Sequence, residues 1–278
     1  MTDYVRPRDL NEALAQRAAH PDWMVLAGGT DLMVNANHRP APAGIIDLWR
    51  LPGLGGITAT DGTVTIGAGT TWYEVETHAA IIERWTPLAQ AAREIGALQI
   101  QARGTLGGNV GTSSPVGDSL PVLLALDAQL ELASTRGRRT VAYSDYCTGY
   151  RKTLLAPDEL IVSATLPAIA ANTRTTWRKV GTRRAQSISK VMGAAAITIE
   201  SGVVTSARVA LGAIAERPIR IAAVETAVIG LTPARAAEAA RAAVHTAIKP
   251  IDDVRSTATY RREVAENLVA RFFSGILS

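Results

Sequence analysis

Apolar residues along the first 170 positions come in short blocks of unlike period. RDLNEALAQRAA (8–19) has the spacing of an amphipathic helix, and WMVLAG (23–28) is a continuous apolar run that predicts a buried strand ending at the pair Gly28-Gly29. DLMVNANHR (31–39) predicts a short helix beginning beside that pair, and GIIDL (44–48) another strand. GITAT and TVTIGAG flank Asp61-Gly62, which predicts a hairpin closed by a type I′ turn. TTWYEVETHAAII (70–82) and PLAQAAREIG (87–96) carry helical spacing, with Thr70 or Thr71 as the cap of the first. SLPVLLAL (119–126) follows as a helix, QLELAS (129–134) as a strand, and ELIVSATLP (159–167) as a strand closed by Pro167.

AIAANTRT (168–175) is small, polar and aperiodic, and is the best linker in the chain. Beyond it the pattern changes to WRKV, then AAAITIE and VVTSARVALGAI about a Ser201-Gly202 turn, then three helical segments from about 218, 233 and 257. Strands precede helices in this part, and the earlier part mixes them without a βαβα rhythm, so the fold class is α+β. The boundary falls near residue 171, giving domains 1–171 and 172–278.

A length of 278 residues with 47% hydrophobic composition suits one large or two modest domains. No apolar run of about 18 residues offers a membrane span, and the N-terminus lacks a secretory apolar stretch, so the chain reads as cytoplasmic. The single cysteine, Cys147, excludes an internal disulfide and an iron–sulfur cluster held by this chain alone. The four histidines are scattered without metal-ligand spacing, so no metal is expected. The net charge of +4 is spread apart from RGRR (136–139) and TRR (182–184), and aromatic residues are few, which disfavours nucleic-acid binding.

Two glycine-rich stretches carry the candidate chemistry. LAGGTDL (26–32) puts a tight turn between a strand and a helix start, where consecutive backbone N–H groups form a concave anion site. GTLGGNVGTSSPVGD (104–118) repeats the double glycine and adds the hydroxyls of Thr105, Thr112, Ser113 and Ser114, donors without charge. Two such turns suggest a pyrophosphate held from both sides, hence a dinucleotide. Asp118 is placed either to accept from a sugar hydroxyl or to cap the helix after it. Neither GxGxxG nor GxxxxGK[ST] occurs, so the Rossmann and P-loop modes lack support.

These segments, with IGAGTTWYEVE, GYRKTLLAPDELIVSATLP and WRKVGTRRAQSISKV in the same order, make the chain resemble the FAD-binding medium subunits of the molybdenum hydroxylases, a family that includes xanthine dehydrogenase and carbon monoxide dehydrogenase. The resemblance implies a vanillyl-alcohol-oxidase-type FAD-binding domain of two α+β subdomains, then a small C-terminal α/β domain with an antiparallel sheet. It implies that Val25, Leu26, Ala27, Gly28, Gly29, Thr30, Asp31 and Leu32 wrap the pyrophosphate and neighbouring ribose. Thr105, Gly108, Asn109, Thr112 and Ser114 would form the opposing loop, Asp118 would bind cofactor hydroxyls, and Ile161 and Lys179 would lie near the ends of the dinucleotide. Ile95 stands where xanthine dehydrogenases carry an aromatic, and Ser187 near a tyrosine of carbon monoxide dehydrogenase-like members, so the cover of the flavin ring differs here.

The resemblance further implies an oxidoreductase component that works only in a complex. A partner large subunit would carry the molybdenum cofactor and a small subunit two [2Fe-2S] clusters, with FAD passing electrons to NAD or another acceptor. GYRKT and the segment around Ser187 lean toward members acting on purines and other N-heterocycles. A self-contained flavin oxidoreductase and a non-catalytic nucleotide-binding module are the alternatives; for the former, no histidine or carboxylate pair stands out as acid or base. Lys179 would stabilise negative charge on reduced flavin, or else be a surface lysine. Arg183, Arg184 and Lys190 form an acceptor site, a solvated loop or a partner contact. The five tryptophans are expected in the core or at interfaces, Cys147 as an inert half-buried thiol, and Val264, Leu268 and Phe272 as the packing face of the last helix.

Overall fold

Strands whose residues are apolar on both faces end up inside the protein, and those with charged positions end up at sheet edges. The computed structural model of the chain describes residues 2–38 and 40–275. Asp3–Val5, Gly44–Asp47 and Met24–Leu26 form a three-stranded parallel sheet with Gly44–Asp47 in the centre. The helix Leu10–Ala19, capped by the Asp9 side chain on the Glu12 amide, makes the crossover between its two outer strands. The chain leaves Met24–Leu26 into the first glycine turn, so that turn lies at the C-terminal end of a parallel sheet, where strand ends and helix starts leave backbone donors open.

A second, antiparallel sheet orders Ile57–Thr60, Thr63–Gly67, Leu160–Leu166, Gln129–Ser134 and Gly137–Ala142. Asp61 and Gly62 both adopt positive φ (49° and 79°), the type I′ hairpin expected from their dipeptide. Gly137–Ala142 was not anticipated as a strand. It is an edge strand that carries Arg138 and Arg139 of RGRR, and charge on an edge discourages pairing with another chain.

The third sheet is antiparallel: Thr173–Val180, Val191–Glu200, Val203–Gly212 and Ile219–Arg220. Its first strand begins inside the segment read as linker, leaving 167–172 as the connection. Alternation sorts its central strands onto two cores. Ala194 and Ala196 join the core of the first two sheets with Ala210, while Ala195, Ile197, Val209 and Leu211 face the C-terminal helices Ala222–Ala227, Pro233–Ala247 and Ala258–Ser274. Leu268 and Phe272 of the last helix are buried in that second core, with Val264 packed against it, so the helix packs on its own unit. The first of these helices starts four residues later than the pattern suggested, because Ile219–Arg220 adds a short strand.

Local differences from the sequence reading follow hydrogen bonding. The stretch 70–82 forms two helices, Trp72–Thr77 and Ala79–Arg84, because His78 turns extended (φ −75°, ψ 122°). Thr71, rather than Thr70, caps the first in a reciprocal box with Glu74; the Thr70 hydroxyl instead binds the backbone of Gly56. DLMVNANHR forms a 3₁₀ helix over Leu32–His38, its last residue Arg39 lying outside the described residues. Among the described residues, no helix is long and apolar enough to cross a membrane.

Candidate functional site

Between the parallel sheet and the antiparallel sheet lies a cleft of about 620 Å³, well within the range of small-molecule and cofactor sites. Glycine backbone forms part of its walls: Gly28, Gly29, Gly69, Gly104, Gly107, Gly108, Gly111 and Gly117 all line it. The two glycine segments interlock there. A Cβ at Gly28 would stand 1.7 Å from the Arg103 carbonyl oxygen, so only glycine lets the first turn pack against the chain entering the second.

The two segments do different work. In the first turn the amide N–H groups of Gly28, Gly29, Thr30 and Asp31 donate to no protein acceptor among the described residues. Four consecutive amides with open donors are what an anion needs. The second segment, expected as a loop, folds into a helix over Leu106–Thr112. Its leading amides are taken up: Leu106 donates to Thr70 O at 3.0 Å, Gly107 to Ala68 O at 2.8 Å, and Gly108 to the Thr105 hydroxyl at 3.0 Å. It therefore offers side chains and bare backbone wall rather than an amide cradle. Thr112 and Ser114 line the cleft, whereas Ser113 is buried, left-handed at φ 47°, and paired with Cys147 Sγ at 3.0 Å.

The charges were less legible in the sequence. Arg17 and Arg151 both line the cleft. Arg17 reaches in from the first helix; its Nη1 donates to Trp23 O at 2.9 Å, and its Nε is buried without a partner. Burial pulls its pKa down from the ordinary arginine value, and no carboxylate forms an ion pair with it among the described residues. Two carboxylates line the cleft and each is neutralised. Asp31 takes Arg151 bidentately at 3.2 Å on both nitrogens, and Glu159 takes Arg139 at 2.7 and 2.8 Å. Arg139 holds the Glu159 carboxyl below its usual range, against the effect of burial. Among the charged residues that line the cleft, this leaves Arg17 as the one without an ion-pair partner among the described residues.

Of the residues singled out in the sequence, Val25, Ala27, Gly28, Gly29, Thr30, Asp31 and Leu32 meet Thr105, Gly108, Asn109, Thr112, Ser114 and Ile161 around this one cleft. Leu26, Asp118 and Lys179 lie outside its lining. Asp118 is buried and its carboxylate is fully engaged, Oδ2 by Lys179 Nζ and Oδ1 by the Ser189 hydroxyl, each at 2.6 Å. It does not cap the following helix, whose N-cap is Ser119. Burial pushes the Asp118 carboxyl up, against the pull of Lys179 and Ser189. Lys179 Nζ also donates to Glu94 O at 3.2 Å. The ammonium thus ties together the residues next to Ile95 and Gly117, both of which line the cleft, and is no surface lysine.

Trp72, Trp85 and Trp177 are core residues, Trp23 and Trp72 also line the cleft, and Trp49 is half-exposed. Cys147 is more buried than expected, at 5% exposure, and hydrogen-bonded to Ser113. Ser187 hydrogen-bonds the Arg183 carbonyl within its own loop, and Lys190 sits 5.0 Å from the Tyr260 ring centroid. The free amides, the orphaned arginine donor, the uncharged hydroxyls and the glycine wall together fit a dinucleotide held by its pyrophosphate.

Comparison with known proteins gives the same outline over the whole chain. Residues 1–169 match the family described as the FAD binding domain in molybdopterin dehydrogenase, and residues 177–276 match the CO dehydrogenase flavoprotein C-terminal domain. The chain is similar to the nicotinate dehydrogenase FAD-subunit of Eubacterium barkeri, at 29% identity over 99% of this chain and 96% of that protein. It is 32% identical to the carbon monoxide dehydrogenase medium chain of Hydrogenophaga pseudoflava over 97% of this chain and 94% of that one. A solved structure of that organism's carbon monoxide dehydrogenase, in a form lacking the Mo-pyranopterin moiety of the molybdenum cofactor, superposes with a TM-score of 0.92 at 31% identity, covering 97% and 95% of the two chains.

Proposed function

Because the chain belongs to the family of FAD-binding medium subunits of the molybdenum hydroxylases, and is thereby an oxidoreductase component, we propose that it carries FAD as the electron-transfer station of a heteromeric complex. The observation that carries the reading is the row of four open amides over Gly28–Asp31 in a cleft that Arg17, with its unpartnered Nε, also lines. In this reading Val25 to Leu32 hold the pyrophosphate and adjoining ribose; Thr105, Gly108, Asn109, Thr112, Ser114 and Ile161 form the facing wall. Asp118 and Lys179 act as positioning residues, setting Gly117 and Ile95 through the contacts described above. The division into an FAD-binding domain over 1–171 and a C-terminal domain over 172–278 belongs to the same reading.

Bound FAD supplies two-electron chemistry that can also proceed in single-electron steps. The chain's own residues bind and orient it and exclude charge from its wall: Arg139 and Arg151 cancel the two carboxylates that would repel a pyrophosphate. Electrons would arrive from [2Fe-2S] clusters on a small subunit, after a substrate is oxidised at the molybdenum cofactor of a large subunit. What supports this is the relatives' description as a medium chain and an FAD-subunit. A purine or other N-heterocycle as substrate rests on GYRKT and the nicotinate dehydrogenase relative. NAD as terminal acceptor rests on the exposed Arg183 and Arg184.

The test is turnover of the complex captured through a tag on this chain, with nicotinate, xanthine and carbon monoxide as trial substrates. A complex stripped of FAD keeps oxidising its substrate with an artificial dye but loses transfer to its natural acceptor. Retained transfer without FAD contradicts the role.

A further inference from the structure

Outside the cleft, three arginines converge on one tryptophan. Arg6 follows the strand Asp3–Val5, Trp49 and Arg50 follow Gly44–Asp47, and Arg103 enters the second glycine segment. The Arg103 guanidinium carbon lies 3.8 Å from the Trp49 ring centroid and that of Arg50 lies 5.6 Å away, while Arg6 Nη2 donates to the Trp49 carbonyl at 3.2 Å. All three arginines are exposed. They share the C-terminal end of the parallel sheet with the dinucleotide turn, and Arg103 Nε points to the Gly28 carbonyl at 3.4 Å.

This grouping is electrostatically incomplete. Three like charges beside one residue repel, and the nearby acid makes its hydrogen bonds to neutral donors: Asp47 is buried, with Oδ1 taken by the Trp49 amide at 2.8 Å and Oδ2 by the Tyr4 hydroxyl at 2.5 Å. Arg8 nearby is paired with Glu12 at 2.9 Å. Among the described residues, no carboxylate is in ion-pair contact with Arg6, Arg50 or Arg103. Arg50 also holds φ at 56°, a left-handed conformation that a side-chain-bearing residue adopts only under constraint. The ring beneath Arg103 and Arg50 and the Trp49 carbonyl accepting from Arg6 hold the guanidiniums in place before anything binds, which lowers the ordering cost of a contact.

We propose that Arg6, Arg50 and Arg103, held on Trp49, form a docking face for an acidic surface of a partner subunit of the same complex. The proposal rests on the heteromeric reading above. Planar guanidiniums take carboxylates bidentately, and a partly exposed aromatic flanked by arginine is the composition of interface anchors. A small anion would need a concave site, and none of the four residues lines the cleft or the smaller hollow beside Glu74 and Thr77. A face of separate charges around a ring suits a protein surface.

The experiment measures how fast purified chain reassociates with partner subunits released from the tagged wild-type complex, at low and high salt. Arg6→Glu with Arg50→Glu is the variant; Arg103 is left alone because it touches the cofactor turn. Expected is association slower by about tenfold or more at low salt, a difference that shrinks at high salt, and unchanged flavin content. If the double reversal fails to fold, Arg6→Gln with Arg50→Gln is read by its weakened salt dependence. A variant that reassembles as fast as a wild-type chain that does capture its partners overturns the docking face alone. A wild-type chain that captures no partner overturns the heteromeric reading and the docking face with it. A variant that assembles normally but requires more electron acceptor assigns the patch to the acceptor and contradicts the proposal.

Discussion

Lys179 and Asp118, 61 residues apart, meet at 2.6 Å between Nζ and Oδ2, with side chains 5% and 9% exposed. The pair joins the first strand of the C-terminal sheet to the end of the second glycine segment, and it sits one residue behind the cleft wall at Gly117. A buried pair of this kind adds little net stability relative to an apolar substitute, but its halves cannot be separated cheaply.

Lys179→Met therefore leaves a buried carboxylate without its ammonium, and costs about 3–5 kcal/mol in urea unfolding. Lys179→Met combined with Asp118→Asn recovers much of that loss, because no charge is left stranded. A double variant as unstable as the sum of its single variants contradicts the coupling.

Gly28→Ala tests the interlock of the two glycine segments. The added methyl would meet the Arg103 carbonyl oxygen at 1.7 Å, and that oxygen belongs to backbone that cannot swing aside. The expected protein is thermally weakened and purifies with little flavin; one with full flavin content shows that the segments do not meet as described.

Arg17→Met removes the cation whose Nε has no protein partner. A hydrogen bond to a charged group contributes about 1.5–3 kcal/mol, so FAD binding weakens by roughly 10- to 150-fold. Equilibrium dialysis against FAD measures it. Undiminished affinity with a normal melting temperature removes Arg17 from the phosphate site.

Asp253 sets an acid limit on the C-terminal unit. Burial alone would push its carboxyl up, but hydrogen bonds from Arg261 and Arg255 outweigh that and hold it down to about 2. The folded value lies below the unfolded value of about 3.9, so the folded state binds fewer protons. Its stabilising contribution is present above that unfolded value and is lost as pH falls toward 2. Asp253→Asn lowers the melting temperature near neutrality, and the gap from wild type closes as pH drops from about 5 to 2. A gap constant across that range contradicts the assignment.

Short-range chemistry was readable in the sequence. Asp61-Gly62 and Ser201-Gly202 marked their hairpins because both residues of each turn take positive φ, which few dipeptides tolerate. The helix Leu106–Thr112 was hidden by Gly107, Gly108 and Gly111, each of which disfavours helix by about 1 kcal/mol relative to alanine. Tertiary bonds to Ala68 and Thr70 and the Thr105 cap override that preference. In the cleft, glycine spacing located the wall, but Arg17 and Arg151 arrive from a distant helix and hairpin; Arg151 meets Asp31 across 120 positions, a pairing no local pattern encodes. The same holds for Asp118, whose partners at 179 and 189 are equally beyond the reach of local pattern.

The most direct test of the central claim is the visible absorption spectrum of the purified chain, with the mass of the cofactor released on denaturation. The account predicts flavin bands and the mass of FAD, both diminished in Gly28→Ala. A colourless wild-type protein that also takes up no added FAD contradicts it.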